Sequence, residues 1–199
     1  MCRGSKCIWR GHAIGGSGEL HCTLTMGEHF KKFFSSSGDL SAEAKAQRWF
    51  EIAKSEGYDW YDAKLAHMLQ FESAVATPTP KDPHHARVVH SFTVPKELCN
   101  MGANLHGGAV ALIFDICTST AIAAASHDGF WDTGNVSRTL NCTYLRPAGV
   151  GTKVYVISEV VHLGKRQGLT KGEIRLETED GKIAYTCDHQ KAAIGSSSL

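Results

Sequence analysis

A chain of 199 residues with 42% hydrophobic content is long enough for one domain with extensions and a sizeable core. Its formal net charge of +1 gives nucleic acid or an anionic membrane no electrostatic reason to be the main partner. Seven cysteines, at positions 2, 7, 22, 99, 117, 142 and 187 with no C-x-x-C pair, fit neither a zinc ribbon nor a disulfide framework and suit a reducing compartment.

The first 26 residues carry Arg3, Lys6 and Arg10 with no acid before Glu19, and they are rich in Gly and Ser. They read as a weak organellar targeting segment without a clear amphipathic face, or equally as an appendage before a natural start at Met26. Disorder is expected over residues 1–40. From Ser41 to Glu56 the strong helix formers of SAEAKAQRWFEIAKSE predict a helix capped by Ser41 and stopped at Gly57. A second helix is predicted from about Trp60 to Gln70, with Asp59 as cap and Leu65, Met68 and Leu69 on its apolar face. Residues 41–70 thus form a helical extension, expected to pack on the main domain or to border its ligand channel. Pro78, Pro80 and Pro83 mark a loop.

The remainder, residues 71–195, reads as strands interrupted by one helix. Phe71 to Thr77 is a candidate edge strand, and Arg87 to Val94 is a strand ended by Pro95. The helix runs from about Gly107 to Ser126. Four more strands are expected at Asn135 to Tyr144, Lys153 to Leu163, Leu169 to Glu177 and Lys182 to Ala193, with glycine-rich turns between them. The class is α+β, with one long apolar helix against a five- or six-stranded, mainly antiparallel sheet. Two sequons, at Asn135 and Asn141, fall inside a predicted strand and carry no weight without a secretory signal.

That helix holds the most informative residue. Asp115 is the only charge in the twenty residues from Gly107 to Ser126, and a charge in apolar surroundings is costly unless it is paired or has work to do. A structural Asp bonded to backbone or to a buried cation is an equally common explanation. The stretch is long enough to suggest a membrane span, but Asp115, the Thr118-Ser119-Thr120 run and the flanking glycines argue against insertion. His106-Gly107-Gly108 precedes it, where glycines let a ligand approach free amides at a helix start. Other catalytic templates are missing: there is no G-x-S-x-G elbow, no G-x-x-x-x-G-K-[ST] loop and no H-E-x-x-H. Cys117, two residues past Asp115, is more simply a small core residue than a nucleophile.

Asn100-Met-Gly-Ala-Asn-Leu-His106-Gly107-Gly108, followed by Asp115, resembles the hotdog-fold acyl-CoA thioesterases, in particular the phenylacetate-pathway-type branch that includes the mammalian thioesterase-superfamily-member enzymes. The resemblance covers roughly Phe71 to Ala193, including Val136-Ser137 and the later run Asn141 to Pro147. It implies a sheet wrapped around the long helix, a dimer whose sheets join edge to edge, and pairing of dimers into a homotetramer. It implies hydrolysis of acyl-CoA to the free acid and CoA, as in fatty acid metabolism, with no metal and no cofactor. Asp115 would attack the thioester or activate water, and the Gly107 amide would hold the developing oxyanion, at roughly 3–4 kcal/mol. Asn100 would orient the carbonyl or water, and Ser137 would hold the attacking water. His106 shapes the loop more readily than it moves a proton. For CoA, the resemblance points to Tyr144 and Arg146 in one segment and to His162, Lys165 and Arg166 in a turn. A solvated basic turn explains the latter equally well.

Helix geometry bears on the dimer independently. Gly107 and Asp115 lie eight residues apart, about 12 Å along a helix at ~1.5 Å per residue, too far for one thioester carbon to meet both. Two antiparallel helices across a two-fold axis would bring Gly107 of one subunit to Asp115 of the other. A hotdog hydratase or dehydratase is one rival reading, though its usual Asp/His motif is not found. A non-catalytic acyl-CoA sensor is another, since a fold does not settle a function. The compartment is expected to be cytoplasmic or mitochondrial.

Overall fold

In a computed structural model of the chain, residues 40–194 are described, so all but the last residue of the segment expected to be disordered lies outside the described residues. Helix α1 spans Ala42–Ile52 and starts where the cap was expected: the Ser41 hydroxyl accepts from the Ala44 amide at 3.1 Å. It stops four residues earlier than its composition suggests. Ser55 turns its hydroxyl onto the Ile52 carbonyl at 2.7 Å, and Lys54 reaches across to the Leu69 carbonyl at 3.0 Å. Local and tertiary partners here replace helical ones.

The second helix, α2 at Ala63–Met68, is shorter than expected at both ends. Asp59 does not cap it. Asp62 stands at the cap position and accepts the Tyr58 hydroxyl at 2.8 Å instead of a helix amide. At the other end Leu69 is already extended and leads into β1.

Six strands follow: β1 Gln70–Ala76, β2 Ala86–Thr93, β3 Asn135–Tyr144, β4 Lys153–Leu163, β5 Gln167–Leu176 and β6 Ile183–Ala193. They form one antiparallel sheet in the order β1-β2-β4-β5-β6-β3, so β1 and β3 are its edges. A short 3₁₀ turn at Lys96–Leu98 precedes helix α3, Gly107–Ala125. This is the expected helix within one residue, and the architecture is the hotdog arrangement of a sheet around a central helix.

The core explains why α3 must be so apolar. Val110, Ile113, Phe114 and Cys117 pack against Phe92, Val154, Val156 and Ile174 of the sheet. At closest approach, a Cβ on Gly172 of β5 would lie 2.6 Å from the Phe114 ring, so only glycine lets the helix come this near. Farther along α3, Ala121 and Ile122 meet Ala46, Val88 and Val160, which roots the helical extension in the same core. α3 is the one described helix with the length and hydropathy to cross a bilayer, and its apolar residues are spent on this sheet.

Candidate active site

The start of α3 is built from the loop before it. Asn100 accepts the Gly102 and Asn104 amides on its side-chain oxygen, at 2.9 and 3.3 Å, which shapes the turn and leaves its Nδ2 as the free donor type. His106 caps α3: its Nδ1 accepts the Gly108 amide at 3.0 Å, so the ring proton sits on Nε2. Its observed job is to set the loop. Gly107 is the first helical residue, and its amide has no intrahelical acceptor. A Cβ there would meet the Tyr144 ring at 3.4 Å, and the Tyr144 hydroxyl donates to the Gly107 carbonyl at 3.1 Å.

Asp115, two helical turns on, is the hub of a polar network. Its Oδ1 accepts from Ser137 Oγ at 2.6 Å and from Lys191 Nζ at 2.7 Å. The Lys191 ammonium also reaches Ser119 Oγ at 2.8 Å and Ser137 Oγ at 3.1 Å. Among the described residues none donates to Oδ2, and the side chain is 43% exposed. One carboxylate oxygen is thus held by protein while the other is left for water or substrate. Ser137 sits beside a β-bulge between Ser137 and Thr139, an irregularity that re-aims side chains on an edge strand.

His189 completes the group, with Nε2 3.6 Å from Asp115 Oδ1. Its tautomer follows from Thr118, whose hydroxyl lies 2.6 Å from the Phe114 carbonyl and 2.8 Å from His189 Nδ1. A carbonyl can only accept, so the single hydroxyl proton goes there and Nδ1–H donates to Thr118. Nε2 keeps a lone pair facing the site.

Electrostatics follow from these contacts. Burial pushes the Asp115 carboxyl upward, but the Lys191 charge and hydrogen bond, the Ser137 hydroxyl and His189 outweigh it and hold the group below the usual carboxylate range. Asp115 is therefore ionised at neutral pH. Burial pulls Lys191 below its ordinary value, partly offset by Asp115. Burial and then the Lys191 charge bring His189 down to about 4, so it is neutral. Cys117 is fully buried, which raises its thiol far above neutrality and removes it as a nucleophile.

The proposed site residues separate into two groups within one chain. Ser137 and Gly168 both pair with Lys191 in the sheet register, so the Lys165-Arg166 turn shares a sheet end with the Asp115 network. Tyr144 pairs with Tyr185 at the other end of β3, beside Gly107, and Arg146 donates to the Ile183 carbonyl there at 2.6 Å. His162, Lys165 and Arg166 are exposed. Among the described residues no group of three His, Cys, Asp or Glu could hold a metal ion.

Lys191, His189, Ser119 and Thr118 were not anticipated as site residues. A signal existed for two of them. In β6, Tyr185, Cys187, His189 and Lys191 share one parity and are buried, while Asp188 and Gln190 on the other are exposed. A lysine on the apolar parity of a strand needs a carboxylate partner.

Residues 102–183 match the family model described as thioesterase superfamily. A Caenorhabditis elegans candidate esterase is 26% identical over 129 residues, covering 65% of this chain and 73% of its own. Zebra fish thioesterase superfamily member 2 superposes with a TM-score of 0.60 at 23% identity, covering 78% of this chain and 99% of that one. The Escherichia coli PaaI protein, from the phenylacetic acid degradation operon, gives 0.60 at 20% identity over 78% and 97%. A Streptococcus pneumoniae hypothetical thioesterase, solved with coenzyme A, gives 0.51 at 16% identity over 64% and 86%. The superpositions and the sheet wrapped around α3 show the hotdog fold, and residues 102–183 carry the likeness to the thioesterase superfamily, which supports thioester hydrolysis as the class of chemistry.

Proposed function

We propose that the chain is an acyl-CoA thioesterase that works as a homodimer, with each active site shared between subunits. The observation that carries this reading is the separation of the two half-sites: an ionised, half-exposed Asp115 at one end of the sheet and, beside the other, the helix-start amide of Gly107, which has no intrahelical acceptor. Neither half can cleave a thioester alone. An antiparallel partner helix supplies the missing half to each. β3 is the sheet edge that would join the partner, and it carries the exposed apolar side chains Val136 and Tyr144. Pairing of two dimers into a tetramer is the further assembly we expect.

In this mechanism the thioester carbonyl oxygen lies on the Gly107 amide of one subunit, at the positive end of α3. Asp115 of the other drives oxygen onto the carbonyl carbon, directly or by taking a proton from water. The carbon–sulfur bond then breaks and the CoA thiolate leaves, taking up a proton; on the direct route water then hydrolyses the acyl–Asp115 anhydride and frees the acid. Ser137 and Lys191 hold Oδ1 so that Oδ2 faces the reacting atom. Asn100 Nδ2 is available to the carbonyl or water. Lys165 and Arg166, with His162, would meet the CoA phosphates. The coenzyme A and acetyl-CoA complexes of two streptococcal hotdog proteins favour that ligand. The free thiols Cys99, Cys117, Cys142 and Cys187 suit a reducing compartment, cytoplasm or mitochondrion.

Thiol release from acetyl-, hexanoyl-, palmitoyl- and phenylacetyl-CoA tests the reading. Wild type should hydrolyse at least one of these, and Asp115→Asn should lose about 10²–10⁴-fold in kcat with the fold retained. CoA binding without hydrolysis of any of them would turn the reading into an acyl-CoA sensor.

A further inference from the structure

A cavity of about 380 Å³ lies between α3 and the helical extension. Its α3 wall is the stripe Leu112, Ile116 and Thr120, three residues spaced by four and so on one face of the helix. Asp115 and Ser119, on the adjacent face, also line it, so the candidate catalytic carboxylate is part of the same cavity. The opposite wall comes from outside the sheet: Trp49, Phe50 and Ala53 of α1 and its end, then Tyr58, Trp60 and Tyr61 after the turn at Gly57, whose φ of +80° bends the chain back. Trp60 and Tyr61 are 58% and 90% exposed, an apolar surface left open beside the cavity mouth.

The chemistry of the walls selects what enters. Among the described residues no Lys or Arg lines the cavity, and Asp62 does, so its lining disfavours the phosphates of CoA. What fits is an apolar group attached to the carbonyl that Asp115 addresses. A cavity of about 150 Å³ holds benzene, so 380 Å³ admits a tail well beyond an acetyl methyl.

We propose that this cavity is the acyl-chain site, that residues 41–62 act as the specificity element of the enzyme, and that its substrates are acyl-CoAs with large apolar acyl groups. The inference rests on the thioesterase reading for its substrate, but the cavity has a readout of its own. In the full chain, kcat/KM for decanoyl-CoA over that for acetyl-CoA should fall about 10–200-fold in Ala53→Phe, which fills the cavity from a partly exposed position. Trp60→Ala, an exposed change that leaves the core alone, should lower the ratio in the same direction. An unchanged ratio in both variants overturns the proposal while leaving thioesterase activity intact. Separately, decanoic acid should quench tryptophan emission of the wild type through Trp49 and Trp60 of the cavity wall, and the quench should be smaller in Trp60→Phe. If no thioester is cleaved but that quench is seen, the acyl site stands and the thioesterase reading falls. Absence of both ratio change and quench removes the site.

Discussion

Two fully buried histidines mark two regions of the sheet that differ in what surrounds them. His90 of β2 lies between the rings of Phe50 and Phe71, with centroids 4.8 and 5.7 Å away, and among the described residues neither ring nitrogen has a hydrogen-bond partner. Burial, then the charge of Lys54, brings it down to about 3. His189 of β6 is as deeply buried and nearly as depressed, yet it touches Thr118 and faces Asp115 and Lys191. Both rings are neutral at pH 7. Burial of a polar group therefore does not make a site; convergence of charges beside an opening does. The His90 region serves as aromatic filling, and the His189 region holds a carboxylate ready for use.

Lysine 191 is where that contrast breaks most sharply. Lys191→Met removes the ammonium that offsets the burial of Asp115 and that bridges Ser119 and Ser137. The Asp115 pKa should then rise, because burial remains as the largest influence and acts upward. A pH–rate profile should show the acid limb of kcat/KM moving to higher pH. At neutral pH, loss of about 10²-fold is expected, the scale of a misplaced reacting group. An acid limb in its wild-type place would show that Lys191 does not set the charge on Asp115.

Much of this was legible before the fold was known, for physical reasons that differ by element. α3 announced itself because burial on most of its circumference removes charge from a long run, and Asp115 stood out against it. The strands were visible because turns at Gly164 and Gly181 punctuate them. Helix ends in the extension were not, since Asp62, Ser55 and Lys54 are claimed by partners that local propensity does not see. The network around Asp115 was half visible. Ser137 came through its motif, whereas His189 and Lys191 lie more than seventy positions away and meet Asp115 only through sheet closure. The cavity was least legible, because one wall is α3 and the other comes from two pieces of the extension folded together by the turn at Gly57.

His90 offers a second, smaller test, on stability. Its folded value of about 3 lies below the ordinary 6.5, so the folded state binds fewer protons than the unfolded one between those limits. No penalty exists above about pH 6.5; it grows as pH falls and levels off near pH 3. Between pH 6.5 and 4.5 this costs on the order of 2–3 kcal/mol. His90→Leu should lose less stability than wild type over that interval in denaturant titrations, with thioesterase activity at pH 7 retained. An identical acid dependence in both proteins would mean that His90 titrates freely, contrary to its enclosed position.

The smallest expected effect concerns Cys117, because it separates position in sequence from position in chemistry. Residues two apart on a helix do not share a face, so Cys117 turns away from the Asp115 network and into the core beside Phe114, Cys187 and the sheet. Burial, and then the neighbouring Cys187, keeps its sulfur protonated, and no cation among the described residues acts to draw out a thiolate. Cys117→Ala should then act only through packing, at about 1 kcal/mol, or roughly 2–4 °C in Tm for a chain of this size. Thiol release from the preferred acyl-CoA should match wild type. A drop in kcat approaching that of Asp115→Asn, with Tm barely moved, would bring the sulfur into the chemistry and dissolve the distinction between a buried group that fills and one that reacts.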